Sequence, residues 1–299
     1  MIDVIPSVVK QGFFARFITH ADATTRNYNS GMAVVGGKTY LATRFFNRAA
    51  WRCDIVINEL DGTSAKPVTQ LNLPRAHGRE WHEDARLFWH AGKLHCAYTE
   101  GQYWMRPWVA VQKLAVLRED WSVERVVTIG FGENSVGAEK NWQFFSHDGR
   151  LHFAYSIAPI HCVVALDDDY NVIAVHHTEG NIKLPLRGGT PPVRLGDCYI
   201  TFPHFHMEHK GRHRRYAFSA LTFEAKPPFR VEGVTEPLIW GSVHDPLIPN
   251  VAYPHWNPIV VFPCGALLDG NTWMVSAGVN DSFDALFLID NDDLKFLSV

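Results

Sequence analysis

Two adjacent carboxylates are the clearest candidates for acid–base chemistry in this sequence. Glu83 and Asp84 stand side by side, and Arg86 follows two positions after Asp84. Successive residues of a β-strand point to opposite faces, so we expect only one of the two carboxylates to face a shared site. Residues two apart share a face, and an ion pair between Asp84 and Arg86 is therefore the structural alternative to a chemical role. For acid catalysis the arginine would have to be offset, because a nearby positive charge favours the ionised carboxylate.

A second polar cluster combines an acceptor, a cation and an amide with an aromatic ring. Glu139, Lys140 and Asn141 directly precede Trp142. Hydrogen-bonding groups beside an indole ring suit a sugar, which offers hydroxyls together with an apolar C–H face. The alternative is a solvated turn next to a tryptophan of the core. The aromatic residues that flank the polar motifs are Trp81, Tyr103 and Trp142.

The histidines and cysteines do not indicate a metal site or a disulfide framework. His204 and His206 could share one side of a strand, but no third ligand follows at a recognisable spacing, so we expect His204 to hydrogen-bond a hydroxyl or an anion. The basic run at 210–215 is expected to be a solvated hairpin tip. The five cysteines are far apart and contain no CxxC pair, which favours reduced, buried thiols. We expect neither a metal nor a cofactor.

The element that must position these groups is a hairpin that recurs five times. Each copy is a turn with glycine and a polar residue, followed by an alternating strand rich in aromatic and β-branched residues. The copies begin at 36, 91, 148, 195 and 269, so they are 55, 57, 47 and 74 residues apart. Each interval fits about one four-stranded blade, and the sequence therefore predicts an all-β, five-bladed β-propeller. A two-sheet sandwich is the rival fold, but it does not explain the fivefold return of one hairpin.

A polar cluster lies just upstream of every recurrent turn. These clusters occupy 26–31, 81–86, 139–143, 187–192 and 263–266. In a propeller the inner strands of all blades run beside the axis, so the same position in successive blades faces one shared funnel. Residues far apart in the sequence thus form a single site.

Length and composition fit one ordered domain that spans 1–299. The chain is 46% hydrophobic and 20% charged, and no Ser/Gly/Pro-rich linker divides it. A net charge of −3 gives no reason to expect nucleic acid as a partner. No apolar run approaches the roughly 18 residues of a membrane span. The first residues lack the features of a secretory signal, which favours a cytoplasmic location.

These motifs resemble those of the mannoside phosphorylase family of glycoside hydrolases and its β-mannosyltransferase relatives, which are five-bladed propellers. The family's Glu-Asp-Pro-Arg segment is matched at 83–86, and its early strand ending in arginine is matched by Arg44. Its GG-x-PP segment is matched at 188–192, and its late Pro-x-Gly segment at 263–265 is followed by the aspartate Asp281. The resemblance extends from about residue 29 to about residue 288.

The resemblance implies a set of catalytic and substrate-binding residues in the funnel. Asp84 would give a proton to the departing glycosidic oxygen, directly or through a sugar hydroxyl, and Glu83 and Asp281 are the other catalytic candidates. Asp281 would recognise a hydroxyl or act as a base, whereas Asp284 and Asp290 are expected in loops. The expected substrate-binding residues are Asn29, Arg44, Arg86, Glu139, Lys140, Asn141, Trp142, Tyr155 and His204.

Departures from the family pattern bear on the reaction. The proline after the acidic pair is Ala85 here, and Tyr155 and Ser156 replace the His-Arg pair of the phosphorolytic members. Arg44, Lys140 and His204 are left as candidates to hold phosphate. We expect inverting cleavage of β-linked mannosides or similar oligosaccharides, with water or an acceptor hydroxyl favoured over phosphate. The alternatives are a glycosyltransferase that uses a nucleotide sugar and a carbohydrate-binding propeller without catalysis.

Overall fold

All five recurrent turns join two antiparallel strands, as the sequence predicts. Each turn has two residues, and in the first three turns both of them have positive φ. The fourth and fifth turns begin with glycines of positive φ, Gly196 and Gly270. Such turns match the right-handed twist of the strands that they connect, and glycine adopts them without steric cost.

The computed structural model describes residues 14–20, 26–47, 49–105, 108–131, 139–209, 213–238 and 260–299. The strands in chain order are β1 (Phe14–Phe17), β2 (Thr19–His20), β3 (Arg26–Val35), β4 (Lys38–Asn47), β5 (Arg52–Asp61), β6 (Ser64–Gln70), β7 (Trp81–His90), β8 (Lys93–Gln102), β9 (Val109–Leu117), β10 (Val123–Thr128), β11 (Gln143–His147), β12 (Arg150–Ser156), β13 (Ile160–Leu166), β14 (Val172–Glu179), β15 (Val193–Leu195), β16 (Cys198–Thr201), β17 (His204–His209), β18 (His213–Phe218), β19 (Leu221–Glu224), β20 (Val231–Thr235), β21 (Val261–Asp269), β22 (Thr272–Val279), β23 (Phe283–Asp290) and β24 (Phe296–Ser298). A short 3-10 helix, Asn291–Asp293, precedes β24.

The described strands form six sheets, and five of these are the blades of a propeller. Blade 1 has the order β3-β4-β5-β6-β2, blade 2 the order β7-β8-β9-β10, and blade 3 the order β11-β12-β13-β14. Blade 4 has the order β15-β16-β19-β20-β24, and blade 5 the order β21-β22-β23-β1. The hairpin β17–β18 extends from blade 4 between β16 and β19, and residues 210–212 at its tip lie outside the described residues. The predicted five-bladed fold is confirmed.

Five hydrophobic clusters hold the ring together, one at each junction between neighbouring blades. Alternation along a strand divides the side chains between the two neighbours, since Phe144 packs with Phe88 of blade 2 while Phe145 packs with Tyr199 of blade 4. The cluster around Met32 and Leu286 joins blade 5 to blade 1 and thereby closes the ring. Each sheet is therefore covered on both faces by its neighbours.

The two ends of the described chain lie in adjacent blades. Strand β1 pairs with β23 at the outside of blade 5, and β2 pairs with β6 of blade 1, so the first strands bridge that junction. Strand β24 pairs with β20 in blade 4. On this arrangement we propose that 1–299 is one domain. No helix among the described residues is long and apolar enough to cross a membrane.

Candidate active site

In each of the first three blades a left-handed residue occupies the same position, within the inner strand or just before it. Asn29, Asp84 and Asn141 have φ values of 57°, 53° and 66°, and each lies seven residues before its recurrent turn. The pairing of β3 with β4 shifts register between Tyr28 and Gly31, and that of β7 with β8 shifts between Glu83 and Arg86. Asparagine and aspartate tolerate this backbone conformation better than most residues. The polar clusters upstream of the turns are therefore bulges of the inner strands in blades 1 and 2.

Arg44 bridges the two adjacent carboxylates. Its Nη2 lies 2.6 Å from Oε1 of Glu83, and its Nη1 lies 3.3 Å from Oδ1 of Asp84. The expectation that only one carboxylate would face the site is wrong, because the bulge removes the alternation that sends successive side chains to opposite faces. All three side chains are largely buried, so this ion pair is screened little by water.

Arg86 does not form the expected ion pair with Asp84. Its Nη1 donates to the backbone carbonyl of Asp84 at 2.8 Å. Its Nε donates to the carbonyl of Gly189 at 2.5 Å, and its Nη2 donates to Oδ1 of Asn141 at 3.2 Å. The fully buried guanidinium thus links backbone and side-chain oxygens of three successive inner segments.

The carboxylate of Asp84 contacts blade 1 on two sides. Asn29 Nδ2 donates to Oδ1 of Asp84 at 2.7 Å, next to the contact with Arg44. Burial raises the pKa of Asp84, but the charges of Arg44 and Lys140 act against burial. Arg86 and the hydrogen bond from Asn29 add to that effect, and the pKa lies below its usual range. Asp84 is therefore ionised at neutral pH in the unliganded protein.

The pKa of Glu83 is shifted in the opposite direction, above its usual range. Burial raises its pKa and the neighbouring Asp84 adds to this, while Arg44 and the hydrogen bond from Tyr103 oppose it. The Tyr103 hydroxyl donates to Oε2 of Glu83 at 2.6 Å. The opposite directions of the two pKa shifts favour Glu83 as the carboxyl that holds a proton shared by the pair.

Asp281 comes to the same region from blade 5. Like Asp84 it is left-handed, with φ 48°, and its side chain is half-buried. The pKa of Tyr28 is raised mainly by burial, and the charge of Asp281 contributes to this increase. The guanidinium carbon of Arg44 lies 4.8 Å from the centre of the same Tyr28 ring. Tyr28 is thus near both the arginine of the carboxylate pair and the third candidate carboxylate.

The residues from blade 3 lie around Glu139. The Tyr155 hydroxyl donates to Oε1 of Glu139 at 3.2 Å, and Lys140 Nζ lies 5.9 Å from the centre of the Trp108 ring. Ser156 donates to the carbonyl of Ile160 at 2.7 Å. Tyr155 and Ser156 are thus uncharged donors, one to a carboxylate and one to a backbone carbonyl.

Two expected substrate contacts have other surroundings in the structure. Trp142 is 2% exposed, and its ring stacks on Phe153 with ring centroids 4.6 Å apart. The alternative interpretation, that Trp142 belongs to the core, is therefore correct. His204 is 2% exposed and its Nδ1 donates to the Gly188 carbonyl at 2.6 Å. Burial lowers the pKa of His204 to about 3, which leaves the ring neutral and unable to hold an anion by charge.

Asp284 is a buried strand residue rather than a loop residue. It lies in β23, where its Oδ1 accepts from the backbone N–H of Ser30 at 3.1 Å. Its Oδ2 contacts the Ser30 hydroxyl and, at 3.0 Å, His20 Nε2. Asp290 also belongs to β23, as its last residue. The apolar run at 285–289 could have indicated this strand. Asp284 connects blade 5 to the inner strand that carries Asn29.

No protein-family model matches the sequence, and a search of characterised proteins found no match. Solved structures do share the fold. A β-1,2-mannobiose phosphorylase from Listeria innocua superposes with a TM-score of 0.67 at 16% identity, over 97% of this chain and 96% of that chain. A glycosyl hydrolase from Bacteroides ovatus gives 0.65 at 14% identity over 98% and 92%. A GDP-Man-dependent mannosyltransferase from Leishmania mexicana gives 0.65 at 13% identity over 97% and 93%. The chain thus has the five-bladed fold of mannoside-active proteins, as its motifs predict.

Proposed function

We propose that the protein is a carbohydrate-active enzyme that cleaves or forms β-mannosidic or similar linkages at the Arg44–Glu83–Asp84 centre. The observation that carries this proposal is the contact of one buried guanidinium with two adjacent carboxylates beside the propeller axis. A structural ion pair needs only one carboxylate. Two carboxylates with opposite pKa shifts are the arrangement that separates a proton-holding group from an ionised one.

Asp84 is the proton donor that we propose, because its neighbours include residues of blades 1 and 3 as well as its own blade. Its ionised state in the free protein means that substrate binding must raise its pKa. A sugar ring that excludes water from the funnel would act in this direction, since desolvation disfavours the charged form. Glu83, whose pKa is already raised, is the nearest reservoir for the required proton.

Water or an acceptor hydroxyl is the nucleophile that the site favours over phosphate. All three nitrogen atoms of Arg44 are engaged, because Nε also donates to Sγ of Cys53 at 3.2 Å. His204 is neutral, and Tyr155 bonds to Glu139. Among the three groups that were candidates to hold phosphate, Arg44 is already paired with two carboxylates and His204 is neutral, which leaves Lys140 as the strongest candidate.

Transfer from a nucleotide sugar is the second candidate. The neutral pair Tyr155 and Ser156 suits an acceptor hydroxyl as well as water, and a mannosyltransferase shares the fold over 97% of the chain. The described contacts support both reactions equally. Cleavage remains the leading proposal because the acidic pair matches the motif of the glycoside hydrolases.

The test is to identify products by chromatography after incubation with a panel of β-linked manno-oligosaccharides. Each reaction is run without addition, with phosphate and with GDP-mannose. Release of free mannose without phosphate supports hydrolysis, and elongation that depends on GDP-mannose supports transfer. Phosphate-dependent release of mannose 1-phosphate would overturn the assignment of the nucleophile, and the absence of any product would overturn the proposed activity.

A further inference from the structure

Four aromatic rings form a continuous ridge beside the carboxylate pair. The ridge consists of Trp51, Trp81, Tyr103 and Trp108. The ring centroids of Trp51 and Trp81 are 6.5 Å apart, those of Trp81 and Tyr103 are 5.3 Å apart, and those of Tyr103 and Trp108 are 5.7 Å apart. Phe46 packs against the Trp51 end of the ridge, and its ring centroid lies 5.4 Å from that of Trp51 and 5.5 Å from that of Trp81.

The ridge is in direct contact with the candidate catalytic groups. The Arg44 guanidinium carbon lies 5.9 Å from the centre of the Trp81 ring, and the Tyr103 hydroxyl donates to Glu83. At the Trp108 end of the ridge, Lys140 Nζ lies 5.9 Å from the centre of the Trp108 ring. A ligand on these rings would therefore continue into the funnel where Glu83 and its neighbours lie.

The two outer rings of the ridge are exposed to solvent. Exposure of a large apolar ring to water is unfavourable, and core packing does not account for it here. Trp51 is 67% exposed and Trp108 is 41% exposed. Trp51 also has a φ of 48°, a conformation that is unfavourable for a bulky side chain and occurs preferentially at functional sites. Contiguous apolar surface of this kind marks a binding surface.

Local contacts hold the rings in place before any ligand binds. The indole N–H of Trp81 donates to the backbone carbonyl of Trp51 at 3.1 Å. A side chain at Gly101 would place its Cβ 2.5 Å from the Tyr103 ring, so glycine leaves the space that this ring occupies. Rings fixed in advance lose little conformational freedom on binding, which favours affinity.

We propose that the ridge binds the distal sugars of an oligosaccharide chain whose reacting linkage lies at the Arg44–Glu83–Asp84 centre. This inference rests on the proposed function and specifies its substrate class as chains of at least three sugars. A pyranose presents an apolar C–H face that stacks on an aromatic ring, and hydroxyls at its edge that can bond groups such as Lys140 and Arg44. A flat apolar partner would not use the cations beside Trp81 and Trp108.

The test measures binding by calorimetry, which does not require turnover. Mannobiose and mannotetraose of the β-1,2 and β-1,4 series are titrated into the wild-type protein and into the Trp51→Ala and Trp89→Ala variants. Trp89 is a matched control because, like Trp51, it is an exposed tryptophan, with 46% of its surface exposed. Its indole N–H donates to the backbone carbonyl of Val34, as that of Trp81 donates to the carbonyl of Trp51. It lies at the opposite end of β7 from Trp81.

We expect wild-type protein to bind the tetraose of at least one series more tightly than the matching biose. Trp51→Ala should weaken tetraose binding by about fivefold and change biose binding less than twofold, because one stacking contact is worth about 1 kcal/mol. Trp89→Ala should change neither. Equal affinity for both lengths, or equal losses in the two variants, would overturn the inference while leaving the proposed function in place. Absence of binding by every sugar would overturn both.

Discussion

The side-chain amide of Asn29 donates to Oδ1 of Asp84 at 2.7 Å and so joins the left-handed residues of two neighbouring inner strands. The two residues are 55 positions apart in the sequence, the same interval as the first two recurrent turns. The left-handed positions of blades 1 and 2 are therefore equivalent in the repeat and are also in direct side-chain contact. The candidate site depends on how closely the inner strands approach one another.

Replacing Gly31 by alanine should destabilise the protein. A Cβ at this position would lie 2.4 Å from the carbonyl oxygen of Ala85 and 2.7 Å from Cα of Arg86, so the backbone of blade 2 would have to move. We expect a loss of about 1–3 kcal/mol in the free energy of unfolding, measured by urea denaturation. Gly130→Ala is the matched control, because its Cβ meets nothing within 4 Å. Equal midpoints for the two variants would contradict the close packing of these strands.

Replacing Arg44 by glutamine should shift the pH dependence of activity. The positive charge of Arg44 lowers the pKa of Asp84, so its removal should raise that pKa. A proton donor is active only when protonated, and the basic limb of the kcat/KM profile should therefore move to higher pH even as activity falls. Arg44→Lys keeps the charge and should leave the limb closer to that of the wild type. An unchanged limb in Arg44→Gln would place the donor away from this arginine.

Buried histidines should make the fold sensitive to acid. Burial lowers the pKa of His161 from 6.5 to about 4, although its hydrogen bond to the Phe229 carbonyl opposes this. Between these pH values the unfolded chain binds the proton and the folded chain does not. The stabilisation is therefore complete above pH 6.5 and is lost as the pH falls towards 4.

His161→Asn keeps a donor for the carbonyl and removes the titration. Between pH 6 and 5 the unfolding free energy of the variant should fall by about 1 kcal/mol less than that of the wild type, as measured by urea denaturation at each pH. Parallel pH dependences for the two proteins would show that His161 does not contribute.

Much of the fold could be predicted from the sequence because its signals are local. Glycine and a polar residue in a two-residue turn, followed by an alternating strand, define each inner hairpin without knowledge of any distant contact. The sequence does not determine locally which strand closes a blade. The pairing of β1 with β23 and of β24 with β20 joins segments that are far apart, and no turn signal links them.

The site was harder to predict because it depends on departures from regular strands. Alternation assigned Glu83 and Asp84 to opposite faces, whereas the bulge at Asp84 brings both carboxylates to Arg44. The order of residues also could not distinguish a sugar-stacking tryptophan from a core one, and Trp142 proved to be packed between blades. Motif resemblance located the position of the acidic pair, while only the structure gave its partners.

The most direct test of the central claim is the activity of Asp84→Asn on a β-linked manno-oligosaccharide that the wild type turns over. The amide preserves the size of the side chain and can still accept the bond from Asn29, but it cannot donate a catalytic proton. We expect kcat to fall by about 10²–10⁴-fold, with substrate binding by calorimetry changed far less. Asp168→Asn, at an exposed loop position, should retain wild-type activity. Near-normal turnover in Asp84→Asn, together with a lower thermal unfolding midpoint, would contradict the account and leave Asp84 as a structural partner of Arg44.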